Sequence, residues 1–239
     1  GIGGVTVLKE CINICPNHNY IYISDSKNNP YGEKTKEEVI KYSENNIKKL
    51  IELGCKIIII ACNTASTISI EYLRNKYKDI NLIAIEPAIK QAYINNKEKG
   101  CLIMATPNTL NSNKFKELYN KYHNDNFYIL PCTGLAHLIE NNKKEEIINY
   151  LENNLIKYKN NISSIVLGCT HYPLIKKEIK KIIPNITFYD GSIGVAKKLK
   201  EIINIKKYKK TKNNITFIDT NNNKDKEKRF YEIIGDNNE

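Results

Sequence analysis

The chain has 239 residues, 41% hydrophobic and 26% charged, which is enough to bury the core of one large α/β domain or of two lobes. Its apolar runs, such as residues 57–61, are far shorter than the roughly 18 residues that a membrane-spanning helix needs, so no membrane association is expected. Seven cysteines without the dense spacing of a disulfide scaffold indicate reduced thiols and a cytoplasmic location.

The formal net charge of +11 raises the alternative of a nucleic-acid-binding protein. The lysines are spread along the chain beside asparagines, and only Arg74 and Arg229 supply guanidinium groups. A compositional bias toward Lys and Asn on solvated surfaces accounts for this charge. We therefore expect a small-molecule partner and no specific nucleic acid.

Short apolar runs alternate with amphipathic stretches along the chain. The apolar runs predict strands over residues 20–24, 56–61, 81–85, 101–105, 126–130, 164–167, 187–189 and 215–219. Helical periodicity predicts helices over residues 35–53, 67–78, 114–123, 143–157 and 173–183, and residues 204–214 resemble a loop. This alternation is typical of an α/β fold with mostly parallel sheets flanked by helices, which bind their ligands at the carboxyl ends of the strands.

Two of the predicted strands end in the same way. Cys62 follows residues 56–61 and Cys169 follows Gly168, and each thiol precedes small hydroxyl or amide residues that can cap a helix. Backbone N–H groups and the dipole at a helix N-terminus favour a thiolate. The two modules lie about half the chain apart. This spacing predicts two similar lobes, residues 1–86 with 192–239 and residues 87–191, with the active site in the cleft between them.

Two equivalent thiols favour one kind of chemistry. Inversion of a stereocentre by proton transfer requires an acid and a base on opposite faces of one carbon, whereas nucleophilic catalysis requires a single activated thiol. The alternative is that Cys62 and Cys169 are small buried residues. That interpretation is the one we apply to the other cysteines, Cys11, Cys15, Cys55, Cys101 and Cys132.

Neither a metal nor a cofactor is expected. Cys169 and His171 have no CxxC partner that would complete a zinc site, and residues 1–4 are too short a signal for a dinucleotide-binding loop.

Beyond these patterns, the chain resembles the glutamate racemase family from its first residue to near its last. The matching segments, in family order, are residues 1–8, 25–32, 61–66, 86–87, 105–109, 134–140 and 167–174. The resemblance implies cofactor-independent interconversion of L- and D-glutamate, which supplies D-glutamate for peptidoglycan, and it makes a homodimer an expectation.

The resemblance also implies roles for individual residues. Cys62 would take the α-proton from D-glutamate and Cys169 from L-glutamate, while Asp25, Glu140 and His171 would orient or tune the thiols. Without the resemblance, Asp25 is a turn former, Glu140 a solvated helix charge and His171 a packing residue. The residues that match the substrate-binding positions are Pro30, Tyr31, Gly32, Asn63, Thr64, Thr106, Thr109, Thr170 and His171. Thr106 and Thr109 are equally suited to capping a helix.

Two other functions stay open. Aspartate racemases of the same family carry Thr-Glu where this chain has Thr170-His171, which favours glutamate. A non-catalytic binding protein on the same fold is the second alternative.

The start of the chain carries a separate expectation. In the family, the glycine that matches Gly1 follows a strand that ends in Asp-Ser. We therefore expect the chain as given to lack this strand, to leave an apolar slot between its neighbours, and to be poorly folded and nearly inactive.

Overall fold

The computed structural model describes residues 1–95, 100–209 and 211–235. The strands are β1 (Tyr20–Ser24), β2 (Ile57–Ile60), β3 (Asn81–Ala84), β4 (Gly100–Ala105), β5 (Phe127–Pro131), β6 (Ile162–Gly168), β7 (Thr187–Tyr189) and β8 (Ile215–Asp219). The helices are α1 (Val5–Ile14), α2 (Lys36–Glu52), α3 (Asn63–Lys76), α4 (Ile89–Asn95), α5 (Pro107–Asn111), α6 (Asn113–Lys121), α7 (Leu135–Glu140), α8 (Lys144–Leu155), α9 (Lys176–Ile182), α10 (Ser192–Lys206) and α11 (Lys224–Gly235). Short 3-10 turns occur at Ile2–Gly4, Ile156–Tyr158 and Tyr172–Ile175.

One lobe is built on a four-stranded parallel sheet with the strand order β5-β4-β6-β7. Every residue of β4 is buried, as expected for a central strand that is covered on both faces. Its side chains alternate between the two faces. Leu102 and Met104 pack in one core cluster with residues of α7, α8 and α9, whereas Cys101 and Ile103 pack in another with residues of α4 and α6.

The other lobe contains two parallel strand pairs, β1 with β8 and β2 with β3. Because β8 lies near the end of the described chain, this lobe brings together the first and last segments. Helices α1 and α10 pack against each other through Val7, Cys11, Val195 and Leu199. The chain thus forms two α/β lobes with parallel sheets flanked by helices, which is the predicted fold class.

A cavity of about 630 Å³ is lined by residues of both small sheets, among them Ile21 and Ile23 of β1 and Ile57 and Ile59 of β2. Within the described residues, the two sheets share no strand pairing. The slot and the poor folding that were expected from the start of the chain stay predictions.

The predicted strands all occur close to their predicted bounds, and two helix predictions and one loop prediction needed correction. The helix predicted over residues 173–183 begins as a 3-10 turn at Tyr172–Ile175 and is α-helical over Lys176–Ile182. Helix α3 begins at Asn63 and not at residue 67, because Cys62 caps it. Helix α10 continues to Lys206, into the stretch predicted as a loop. No helix in the described part of the chain is both long and apolar enough to cross a bilayer.

Candidate active site

Cys62 stands at the junction between β2 and α3. It is the N-cap residue of α3, and its Sγ accepts a hydrogen bond from the N–H of Ala65 at 3.5 Å. Burial raises the pKa of the Cys62 thiol, while the backbone N–H groups of Ala65 and Thr64 act in the opposite direction. The resting group is therefore a thiol, and the helix N-terminus stabilises the thiolate that forms when the proton leaves.

Cys169 occupies the equivalent place at the end of β6. It is buried, and its Sγ lies 3.6 Å from Nδ1 of His171. Burial raises the pKa of the Cys169 thiol well above its ordinary value, and a charge on Cys62 raises it further. The two thiols are thus close enough to influence each other, and only one of them at a time is readily ionised.

A hydrogen bond joins the two strand ends. The hydroxyl of Thr170 donates to the carbonyl oxygen of Ala61 at 3.3 Å. Cys62, Thr170 and His171 also line the same cavity of about 630 Å³. The structure therefore brings the two predicted cysteines, which come from different lobes, to one place.

His171 is the centre of a buried polar chain. Its Nε2 lies 2.7 Å from Oε2 of Glu140, and Glu140 Oε1 lies 2.6 Å from Nζ of Lys226. Although burial by itself raises the pKa of Glu140, the hydrogen bond from His171, the charge of the nearby N-terminal ammonium and the hydrogen bond from Lys226 outweigh it and hold this pKa well below its ordinary value. A carboxylate accepts hydrogen bonds only, so Nε2 carries a proton and, in the neutral ring, Nδ1 offers its lone pair to Cys169.

Asp25 holds the loop that follows β1. Its carboxylate accepts hydrogen bonds from the Tyr31 hydroxyl, from Asn28 Nδ2 at 2.9 Å and from Thr220 Oγ1 at 3.0 Å. Burial and the neighbouring Asp25 raise the pKa of Tyr31, so the phenol keeps its proton and donates. Asp25 therefore fixes Tyr31, which lines the cavity together with Cys62.

The same loop reaches the second lobe. Gly32 approaches Thr106 so closely that a Cβ on Gly32 would stand 3.0 Å from Thr106 Cγ2. Asn108 Nδ2 donates to the carbonyl oxygens of Tyr31 at 3.2 Å and of Lys34 at 2.7 Å. Pro30, partly buried, precedes Tyr31 at the cavity edge. The loop is thus held by both lobes.

Three buried hydroxyls form a closed triangle between α3 and α5. Oγ1 of Thr64 lies 2.9 Å from that of Thr106 and 3.3 Å from that of Thr109, and the last two are 3.0 Å apart. Thr106 is also the N-cap of α5, so its capping role is confirmed, whereas its role in substrate binding stays a prediction. Beside Thr64, the buried Oδ1 of Asn63 has no hydrogen-bond partner among the described residues.

Several residues at the site were not predicted. Lys226 lies 86 positions from Glu140 in the sequence, and Thr220 lies 195 positions from Asp25. No local pattern links such pairs, so only the fold brings them together. Asn108 lies within the segment 105–109 that resembles the family, directly before Thr109. This position could have identified it from the sequence as a residue of the site.

Of the remaining cysteines, Cys11 and Cys55 line the same cavity as Cys62, and Cys132 packs in the same core cluster as Cys169. Burial raises the pKa of Cys11 and of Cys132 to about 12 and that of Cys101 to about 11, so these thiols stay protonated. In the described part of the chain, no cluster of three or more His, Cys, Asp or Glu side chains is placed to hold a metal ion.

Comparison with known proteins identifies the family. Residues 4–197 match the family model of the Asp/Glu/Hydantoin racemases. A glutamate racemase of Clostridium botulinum strain Alaska E43 is 44% identical over 229 residues, 92% of this chain and 89% of that protein. A glutamate racemase of Clostridium novyi is 47% identical over 205 residues, covering 84% of this chain and 79% of the relative.

A solved structure agrees with the sequence comparison. The glutamate racemase of Francisella tularensis, solved in complex with D-glutamate, superimposes with a TM-score of 0.81 at 29% identity, over 98% of this chain and 90% of that one. Fold, paired strand-end cysteines and sequence similarity lead to one conclusion: the chain belongs to the Asp/Glu/hydantoin racemase family, and within it to the glutamate racemases.

Proposed function

We propose that the chain interconverts L- and D-glutamate by transferring protons between two cysteines and opposite faces of the α-carbon. The observation that carries the proposal is the hydrogen bond from Thr170 to Ala61, which joins the two strand ends that carry Cys62 and Cys169 beside a cavity lined by Cys62, Thr170 and His171. In one direction the Cys169 thiolate removes the α-proton of L-glutamate while Cys62 donates its proton to the opposite face. D-glutamate, a Cys169 thiol and a Cys62 thiolate result, and the reverse direction exchanges the roles.

Each thiol has its own means of ionisation. His171 Nδ1, 3.6 Å from Cys169, accepts the proton of that thiol, and Glu140 stabilises the resulting imidazolium. Cys62 has no such base in its described contacts, and the helix N-terminus stabilises its thiolate instead. The two thiols supply both acid and base, so the proposal requires no cofactor or metal.

Neutral donors would bind the ligand carboxylates. Backbone N–H groups at Tyr31 and Gly32 and the hydroxyls of Thr64, Thr106 and Thr109 surround the site, and Thr170 adds a hydroxyl between the thiols. The unpaired Oδ1 of Asn63 suits the ligand ammonium. The hydroxyl oxygens are already held in place by their present hydrogen bonds, so only their O–H groups would turn toward the ligand to favour the carbanion-like transition state.

The test is racemisation of L-glutamate followed by circular dichroism, with proton exchange in D₂O measured in parallel. Cys62→Ser and Cys169→Ser should each remove most activity, because a hydroxyl is a far weaker acid than a thiol. Cys55→Ser is the matched control, since Cys55 lies two residues before the start of β2, is only partly buried and should tolerate the change. Full activity in either of the first two variants would contradict the two-base mechanism.

The substrate preference has its own test. Aspartate, offered at the same concentration, should be racemised far more slowly than glutamate if His171 marks a glutamate enzyme. Equal rates would favour the aspartate racemase alternative.

Three further statements belong to this proposal. We place the boundaries between the lobes at residues 86/87 and 191/192. The strands between these boundaries, β4 to β7, form one sheet, which supports this division. The seven cysteines are free thiols, which supports a cytoplasmic enzyme that supplies D-glutamate for peptidoglycan. A homodimer follows from the family resemblance, and sedimentation of the purified protein tests it.

A further inference from the structure

We propose that Lys226 is a positioning residue that holds the Glu140–His171 pair in place for the Cys169 side of the reaction. The inference rests on the proposed function, because it assigns Lys226 to one of the two proton transfers.

Both oxygens of the Glu140 carboxylate are occupied. Oε1 lies 2.6 Å from Lys226 Nζ. Oε2 lies 2.7 Å from His171 Nε2 and accepts a second hydrogen bond from the Ile2 N–H at 2.9 Å. The carboxylate cannot rotate without losing one of these contacts. Since the bond to Nε2 sets the orientation of the imidazole ring, Lys226 indirectly fixes Nδ1 at 3.6 Å from the Cys169 sulfur.

A second cation on the same helix contacts the same residue. Arg229 Nη1 donates to the carbonyl oxygens of Ile139 and Glu140, at 2.9 Å each. These are the last carbonyl groups of α7, which lack partners within the helix, and a cation is favourable there. Helix α11 therefore binds both the backbone and the side chain of Glu140.

Because Glu140 is buried, the contact between its Oε1 and Lys226 has a large effect on the carboxylate. The Glu140 side chain is 2% exposed and that of Lys226 is 16% exposed, so little water reaches the carboxylate. Loss of Lys226 would leave Oε1 buried without its cation, while Oε2 would keep its bonds from His171 Nε2 and the Ile2 N–H, and a buried carboxylate oxygen without a hydrogen-bond partner is disfavoured. Without Lys226, Glu140 would turn or take up a proton, and either change would disturb His171.

Cys62 does not share this support. Its described contacts are with the N-terminus of α3, and none involves Glu140 or α11. Loss of Lys226 should therefore impair proton removal by Cys169 and leave proton removal by Cys62 largely intact. An ion pair that served only to dock α11 would impair both equally.

The experiment separates the two thiols with 3-chloroglutamate. A thiolate takes the α-proton, the remaining electron pair forms the C2=C3 double bond, and chloride leaves. The enamine is hydrolysed by water to 2-oxoglutarate and ammonia. Cys169 acts on the L-enantiomer and Cys62 on the D-enantiomer. The ratio of the L rate to the D rate, measured in one preparation, therefore shows whether a variant affects one thiol more than the other. Because both rates scale with the amount of folded protein, this ratio is independent of the folded fraction.

The variants are Lys226→Met, Lys226→Arg and the control Lys228→Met, an exposed lysine on the same helix. We expect Lys226→Met to lower the L-to-D ratio by about tenfold or more, part of the roughly 10²–10⁴-fold that general acid–base catalysis contributes. Lys226→Arg should restore most of the ratio, and Lys228→Met should leave it unchanged.

Other outcomes overturn the inference in different ways. An unchanged L-to-D ratio in Lys226→Met, even with a lower melting temperature, would make the ion pair merely structural. A parent protein that melts cooperatively but eliminates chloride from neither enantiomer and does not racemise glutamate would reject the proposed function itself. These two failures are therefore distinguishable.

Discussion

The hydroxyl of Thr170 donates a hydrogen bond to the carbonyl oxygen of Ala61 across 3.3 Å. Ala61 immediately precedes Cys62, and Thr170 immediately follows Cys169. This one contact therefore joins the two backbone segments that carry the thiols. It sets their separation more directly than either lobe can by itself.

Replacement of Thr170 tests this link. Thr170→Val keeps the shape of the side chain but removes the donor, so the strand ends should move apart and kcat should fall about tenfold, because small displacements of reacting groups are costly. Thr170→Ser keeps the hydroxyl and should stay near the parent rate. Racemisation by circular dichroism is the measurement, and a Thr170→Val enzyme with normal kcat would contradict the link.

The two acidic residues should respond differently to amide replacement. The sequence predicts that Asp25 and Glu140 both assist the thiols, whereas the contacts place Asp25 against Tyr31 and Glu140 against His171. Glu140→Gln should lower kcat more than it raises KM, and Asp25→Asn should raise KM more than it lowers kcat. Steady-state kinetics in both directions gives these values. A pure kcat effect in Asp25→Asn would support the original assignment instead.

Gly3 should not tolerate a side chain. A Cβ there would stand 2.7 Å from His171 Nδ1 and 2.8 Å from the His171 backbone nitrogen, which cannot move aside cheaply. Gly3→Ala should displace the imidazole and lower kcat. Gly194→Ala is the contrasting variant, because its Cβ meets nothing within 4 Å inside helix α10. It should raise stability by about 0.5–1 kcal/mol in thermal unfolding.

Glu44 should make stability depend on pH. Hydrogen bonds from Lys76 and Lys48 lower the pKa of Glu44 from 4.5 to about 2 in the folded protein. The stabilisation is therefore present above the ordinary pKa and is lost as the pH falls through about 2. Glu44→Gln should be less stable than the parent near about pH 6, with a smaller difference near about pH 2.5. Urea unfolding at both pH values measures this, and a difference independent of pH would contradict it.

The sequence was informative where structure is local. Cys62 and Cys169 were found because each follows a β-rich apolar run and precedes a capping residue, and strand ends in parallel sheets meet at one edge. The same logic fails for Lys226, because its partner Glu140 lies on a distant helix. A basic, Asn-rich C-terminal segment gives no hint that one of its lysines is nearly buried.

Helix boundaries show a related limit. The periodicity of α3 predicts a start at residue 67, since the polar residues before it lack an apolar face. Those residues are helical because Cys62 accepts from the Ala65 N–H and because Asn63 and Thr64 are buried against the second lobe. Tertiary contacts thus extended a helix that local sequence did not mark.

The ring of hydroxyls formed by Thr64, Thr106 and Thr109 has a consequence for turnover. The three groups already bond to one another, so the ring is satisfied before any ligand arrives. In the proposed function, an incoming carboxylate would gain hydrogen bonds from these threonines only as ring bonds break, and the net gain from such an exchange is on the order of 1 kcal/mol or less per bond. An enzyme whose substrate and product are mirror images must release one as readily as it captures the other. Because the three hydroxyls bond to one another again when the ligand leaves, the site binds its ligand less tightly and releases it faster.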